Sequence, residues 1–444
     1  MWRWKELTLT ELKNFLALYF LTGVTRKPRL ELYWDTREVL ATPFFNQTMA
    51  RDRFQLILRF IHFSDNGAGL EADRLYKVRP VLDYLLHKFR TLYTPGKNIA
   101  IDEGVMHWRG RLAFRTYNPQ KPTKYGLKSF LLADSSTGYG YDLKPYVGEK
   151  SPLGPTVETL LGNLKNKGYH LYMDNYYNSV KMCARLKRLG TQVCGTLRNH
   201  RGEPPCIRAA TVSNLKPGET VMRHNGDVMV TAWRDKRVVR VVSTIHKHRM
   251  VTVQERKKGR SGRVEVQKPL AVAEYNKYMN GVDRLDQMIS YYPFTRKTVK
   301  WTKKFVMYLF SIAMYNSFVL FTAAKGGQKK SLLPFLLSIV QSWGKLRDVR
   351  AQEEDGAAAS ASQPDTSRAQ RAPRHDPESR LSVSLGRHEL VQIPVSGKTL
   401  RPQKRCRVCS HAGVRRETRF VCKECNVPMH SECFHKYHTK KCYK

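Results

Sequence analysis

Acidic residues are scarce. The 444-residue chain holds 37 Asp and Glu against 78 Lys and Arg, a formal net charge of +41. An ordinary metabolic enzyme has no need of that imbalance. It points to a polyanionic partner, with nucleic acid the first candidate and a membrane surface the second. A secretion signal is lacking too: Met1 leads into WRWKELTLTELKNF, with no apolar stretch or small-residue cleavage site. Long hydrophobic runs are few. The most apolar, residues 305–321, is slightly short for a membrane span and is broken by Ser311, Asn316 and Ser317. It predicts a buried helix and no membrane partner. Cysteine is thin before Cys406, where only Cys183, Cys194 and Cys206 occur, while the other six of the nine fall between Cys406 and Cys442. That clustering, without a secretion signal, argues for metal rather than disulfides. No internal repeat is present.

The length allows about two to four domains. Residues 1–96 carry apolar positions at helical spacing, with Thr8 or Thr10 as a possible first N-cap. Near residue 97 the period changes. NIAIDEGVMHWRGR reads as a strand ending at Asp102; RLAFRTYN and GLKSFLLADSS are strand-like, and GYGYDLKPYVG can pair with the latter as a hairpin. A helix over TVETLLGNLKNKG, a strand ending at Asp174, a second helix and a further strand follow. Three strands, helix, strand, helix, strand is a mixed α/β sheet. Residues 200–268 read as a β-rich insertion, and helix resumes at Ala271 with a break near Pro293. Residues 351–380, low in apolar side chains and rich in Ala, Ser, Pro and charge, mark a disordered linker taken as 347–400.

The tail, 401–444, has the ligand pairs Cys406/Cys409, Cys422/Cys425, His430/Cys433 and His438/Cys442, enough for two tetrahedral Zn²⁺ sites. In an interleaved, cross-braced arrangement the first and third pairs hold one ion, the second and fourth the other; His435 competes with His438 for its place. So small a segment has little core, and zinc would supply much of its folding energy.

Asp102 and Asp174 fall at predicted strand ends. Asp283 and Asp286, at i and i+3 near a helix start, share one face. Carboxylates from two strands and one helix can converge on a pair of Mg²⁺ ions, which prefer oxygen ligands. Such a pair, about 4 Å apart, serves phosphoryl transfer. Read singly, these acids are more simply turn and helix-dipole residues.

Taken in order, IDEGVMHWRGRLAFRTYNPQKPTKYGLKSFLLADSSTGYGYDLKPYVG, YMDNYYNS and YNKYMNGVDRLDQM, with the lead-in YWDTREVLATPFFNQTMARDRFQLILRFIHFSDN, resemble the piggyBac transposase family over nearly the whole chain. The resemblance implies an RNase H-like catalytic core (97–199 and 269–290) interrupted by the β-rich insertion. It implies a helical dimerisation and DNA-binding domain split between 1–96 and 291–346, and a cross-brace zinc finger at 401–444. It carries the catalytic, metal-holding aspartates onto Asp102, Asp174 and Asp283, with Asp286 the further acid beside the site. It also implies a nuclear, homodimeric enzyme that cuts double-stranded DNA at transposon terminal repeats, passes through a hairpin and joins the ends at TTAA. Family members usually have a longer polar N-terminal region, whereas this sequence opens directly in a helical pattern. The rival reading is a domesticated DNA-binding protein without transposition activity.

Candidates for phosphate contact are Arg109, Arg111, Arg115, Lys121, Lys124 and Lys128 near Asp102, and Arg296, Lys300, Lys303 and Lys304 in RKTVKWTKK. RKKGRSGR, residues 256–263, reads either as a DNA-contacting loop or as a nuclear localisation signal.

Overall fold

The computed structural model describes residues 4–65, 67, 73–119, 123–149, 153–208, 212–256, 263–294, 296–326, 331–345, 376, 378–381, 388–393 and 402–440. The chain divides into two compact units, Met1–Arg347 and Asp348–Lys444.

The first unit begins with helices α1 (Leu9–Val24), α2 (Pro43–Thr48), α3 (Arg51–Phe60) and α4 (Arg79–Leu92). Thr8 is the N-cap of α1, its hydroxyl accepting from the Glu11 amide at 3.1 Å. Strand β1 (Asn98–His107) follows, then the two-residue β2 (Thr116–Tyr117), β3 (Tyr125–Asp134) and β4 (Gly140–Pro145). Helix α5 (Leu153–Leu161) leads to β5 (His170–Met173), and α6 (Val180–Arg188) leads to β6 (Gln192–Thr196). Strands β7 (Thr220–His224), β8 (Met229–Arg234) and β9 (Val238–Ser243) precede a hairpin of β10 (Met250–Arg256) and β11 (Arg263–Pro269). Helices α7 (Leu270–Tyr278), α8 (Gly281–Tyr291), α9 (Trp301–Ala324) and α10 (Leu332–Gly344) complete the unit.

One mixed sheet runs β2-β3-β1-β5-β6-β9-β8-β7, with β4 on β3. β3 and β4 are antiparallel to their neighbours, while β1, β5 and β6 are parallel, with helix α6 linking β5 to β6. Three expectations change. β1 does not end at Asp102 but continues to His107, because its second half pairs with β3. Of RLAFRTYN only Thr116–Tyr117 is strand. The insertion is also not set apart from the core: β9 pairs antiparallel with β6, so β7–β9 extend the same sheet, and β10–β11 stand as a separate hairpin. The alternating residues of 228–243 could not reveal which sheet edge they join.

Helix α9 is 24 residues long; its most apolar 18-residue window has mean hydropathy 1.6 and is 67% buried in the protein. Phe305, Leu309 and Ile312 face the sheet core; Met307 and Met314 face a second core with Phe15, Leu18, Phe54, Phe294 and Leu336. A helix with a core on both sides is apolar nearly all round, which explains its composition. The second core joins helices from both ends of the unit, residues 9–60 and 301–344.

In the second unit β12 (Leu390–Gln392) pairs with β15 (Phe420–Cys422), and β13 (Lys404–Arg405) with β14 (Glu417–Thr418). Helices α11 (Arg407–His411) and α12 (Ser431–Thr439) complete it. The linker expectation therefore fails in part. Residues 390–392 are a strand of this fold, and Arg380 donates to the Lys440 carbonyl at 3.0 Å.

Candidate functional site

The last parallel pair of β1 and β5 is Ile101 with Met173, so Asp102 and Asp174 are the next residue on each strand. Asp102 lies mid-strand opposite Leu131, yet at the end of its pairing with β5. Its Oδ1 accepts from the Glu103 amide at 2.8 Å. Asp174 opens a tight turn, accepting from the Tyr176 amide at 2.8 Å. The turn is fastened by Asn178, whose Nδ2 donates to the carbonyls of Met173 (2.8 Å) and Thr196 (3.2 Å). Burial raises the Asp174 carboxyl above its ordinary range; the Tyr176 amide opposes this, the nearby Glu103 charge adds to it, and Arg198 opposes it again. Tyr177, buried beside Glu103, Asp102 and Asp174, is held neutral by burial and those charges.

Helix α8 is docked over β1 and β3 by its small first residue. A Cβ at Gly281 would come within 3.1 Å of the Asp134 carbonyl oxygen. Arg284 donates to the Ser136 carbonyl, and Val282 and Leu285 are buried. This rotation leaves Asp283 exposed. Asp286 is half-buried, its Oδ1 3.5 Å from where a Cβ on Gly104 would stand, and its charge reaches Tyr308. The structure thus sets Asp286 against β1. Among the described residues, three or more metal-ligand side chains closing within 4.8 Å occur in the tail and not at these aspartates. Two adjacent carboxylates, one of them half-desolvated, nonetheless suit a hard divalent cation.

The basic candidates divide. Arg109, Arg111, Lys124 and Lys300 are exposed. Arg115 is exposed but donates to the Arg109 carbonyl at 2.9 Å and lies over the Tyr125 ring. Lys128 pairs with Glu103 at 3.1 Å and sits over Tyr176. Lys304 is half-buried, and its charge reaches His107. One assignment is corrected. Lys303 is buried and donates to the Arg59 carbonyl at 2.9 Å, satisfying the end of α3 instead of a phosphate. Arg296 packs on the Tyr33 ring, 5.2 Å from its centroid. Lys121 and residues 257–262 lie outside the described residues.

The tail holds two clusters, Cys406, Cys409, His430 and Cys433, and His388, Cys422, Cys425 and His438. The interleaving is the expected cross-brace, with one change: His388 stands where Cys442 was assigned, and Cys442 lies outside the described residues. A zinc tetrahedron has S–S edges of about 3.8 Å and S–N edges of about 3.6 Å. Cys409 Sγ is 3.8 Å from Cys433 Sγ and 3.6 Å from His430 Nδ1. His388 Nδ1 is 3.6 Å from Cys422 Sγ and 3.5 Å from Cys425 Sγ. The outer ring nitrogens are tied down: His430 Nε2 donates to the Glu417 carbonyl at 3.1 Å, and His438 Nδ1 to that of Arg380 at 3.0 Å. His438 Nε2 is buried without a hydrogen-bond partner, as a nitrogen reserved for metal is. These residues fit zinc.

Comparison with known proteins agrees with this geometry. The family model described as "Transposase IS4" matches residues 1–318, and one described as "DDE_Tnp_1-like zinc finger" matches residues 384–439. The chain belongs to the piggyBac transposase family. Human PiggyBac transposable element-derived protein 3 is 25% identical over 450 residues, 98% of this chain and 71% of that protein. Human PiggyBac transposable element-derived protein 2 is 26% identical over 345 residues, 74% of this chain and 58% of that protein. The solved "piggyBac transposase synaptic complex with hairpin DNA" shares the fold, with a TM-score of 0.68 and 23% identity over 98% of this chain and 90% of that one. Membership of the piggyBac family makes this chain a transposase or a protein derived from one, and the finger match with the two clusters assigns zinc to the tail.

Proposed function

We propose that this chain is a nuclear DNA transposase that cleaves transposon ends in a metal-dependent reaction and transfers them into TTAA targets. The observation that carries the reading is that Asp102 and Asp174 each follow the last paired residue of neighbouring strands, with Asp286 of α8 beside β1. Asp102, Asp174 and an α8 carboxylate would hold two Mg²⁺ ions, which activate the attacking oxygen and stabilise the leaving one. The chain's own side chains orient these ligands. Asn178 locks the β5 turn, the Tyr176 amide fixes Asp174, and Gly281 lets α8 approach. The exposed Arg109, Arg111 and Lys124 would hold phosphates, positioning DNA without reading it. The tail, with 12 Lys and Arg against 3 Asp and Glu in residues 401–444, would add DNA affinity. Joining two ends at once requires a dimer.

The rival, a DNA-binding protein without transposition, draws support from the human relatives, which are named as transposable-element-derived. Purified protein with Mg²⁺ and end-labelled terminal-repeat DNA separates the two. Nicked and hairpin products, abolished by chelation, are expected. Binding without any product would retire the enzyme reading and leave the rival.

A further inference from the structure

Beside Asp174, on the face of the sheet where Glu103 points, lies an open cleft of about 640 Å³. Its floor is set by strand register. Glu103, Phe130 and Lys144 stand side by side on β1, β3 and β4, and Val105 faces Lys128 in the adjoining row. Tyr176 and Arg198 close the side toward Asp174. Tyr117 forms the rim; it is 57% exposed, and one face of its ring is backed by Tyr125 at 4.6 Å between centroids. Arg115 packs on Tyr125 from 5.0 Å, making a layered support. The proposed catalysis absorbs Asp174 but leaves the rest of this cleft without a role.

From this geometry we infer that the cleft receives one unpaired deoxynucleotide of the strand being processed, its base stacked on Tyr117 and its phosphate facing Lys128, Lys144 and Arg198. The size falls within the roughly 300–1,000 Å³ of small-ligand sites, which admits a nucleotide and excludes a duplex. An exposed, supported aromatic beside cations is the chemistry that binds single strands without regard to sequence. Glu103 fits the same reading: paired with Lys128 at 3.1 Å, it holds that cation at the cleft floor, and the Tyr176 ring lies 4.5 Å from the same Nζ. Asp174 lines the cleft, so a nucleotide lodged there touches one of the proposed metal ligands.

The inference rests on the proposed DNA transaction but fails separately from it. Full-length protein is titrated by fluorescence anisotropy into a blunt duplex and into the same duplex with a four-nucleotide single-stranded extension. About tenfold tighter binding of the extended DNA is expected. Tyr117→Ala should erase that preference while leaving blunt-duplex affinity unchanged, and Tyr117→Phe should retain it. A 5-iodouracil in the extension should photocrosslink to the peptide containing Tyr117. Equal affinities for both DNAs, or an undiminished preference in Tyr117→Ala, would overturn the assignment even if terminal-repeat cleavage is observed. Absence of cleavage alongside a Tyr117-dependent preference would sink the transposase reading and leave the cleft.

Discussion

Asp286, three residues after Asp283 on α8, is the acid whose carboxylate lies against β1. Their i and i+3 spacing put both on one face, but it could not say which edge of that face meets the sheet. Packing decides that, through Gly281 and Leu285. Asp102 and Asp174 were legible because both sit in short motifs, IDEG and YMDNYYNS, and because alternation fixes the side a strand residue takes. Glu103 was missed: next to Asp102 it points to the opposite face, and only the β1–β3 register shows it meeting Lys128. His388 was missed for a different reason. It has no ligand partner near it in sequence, and it falls in residues 347–400, read as a linker. Its assignment makes a clear prediction. Wild-type protein should release two zinc ions per chain, and His388→Ala should bind the second with at least tenfold lower affinity, whereas Cys442→Ala should keep both. Metal release followed with a chromophoric chelator gives the count; full loss on Cys442→Ala and none on His388→Ala would restore the original pairing.

At the scale of elements, α9 was recognisable by its apolar content, and the polar residues that interrupt it now have reasons. Asn316 is 2% exposed and clamps β4 through two bonds: its Oδ1 accepts from the Gly140 amide at 2.9 Å, and its Nδ2 donates to the Gly140 carbonyl at 2.8 Å. Ser311 returns its hydroxyl to the Met307 carbonyl at 3.0 Å. Asn316→Leu would leave both Gly140 groups buried and unpaired, a loss of about 2–4 kcal/mol. Chemical denaturation should show it as a lower midpoint; a stability equal to wild type would mean that β4 is held by its ladder with β3 alone. Strand existence was readable from alternation, but strand partnership was not. Nothing in residues 220–243 announces that β9 will pair with β6, since pairing between distant segments is settled by the tertiary core.

For the whole molecule, the +41 charge was the most direct pointer to a polyanion, and it indicated a partner class without locating a site. Structure sorts that charge. Lys303 serves the fold, Arg296, Lys128 and Arg115 make local contacts, and Arg109, Arg111, Arg115, Lys124 and Lys300 are exposed. The architecture came from the order of helical and alternating segments, and the family resemblance joined scattered acids into one proposed centre. The central claim is that Asp174, at the end of β5 beside Asp102, is a ligand of the cleaving metal ions. Its most direct test is single-turnover cleavage of terminal-repeat DNA in Mg²⁺ by Asp174→Asn beside wild type, at protein concentrations that saturate the DNA for both. The account predicts cleavage reduced by about a thousandfold or more with DNA binding within a fewfold of wild type. Cleavage by Asp174→Asn at the wild-type rate would contradict it.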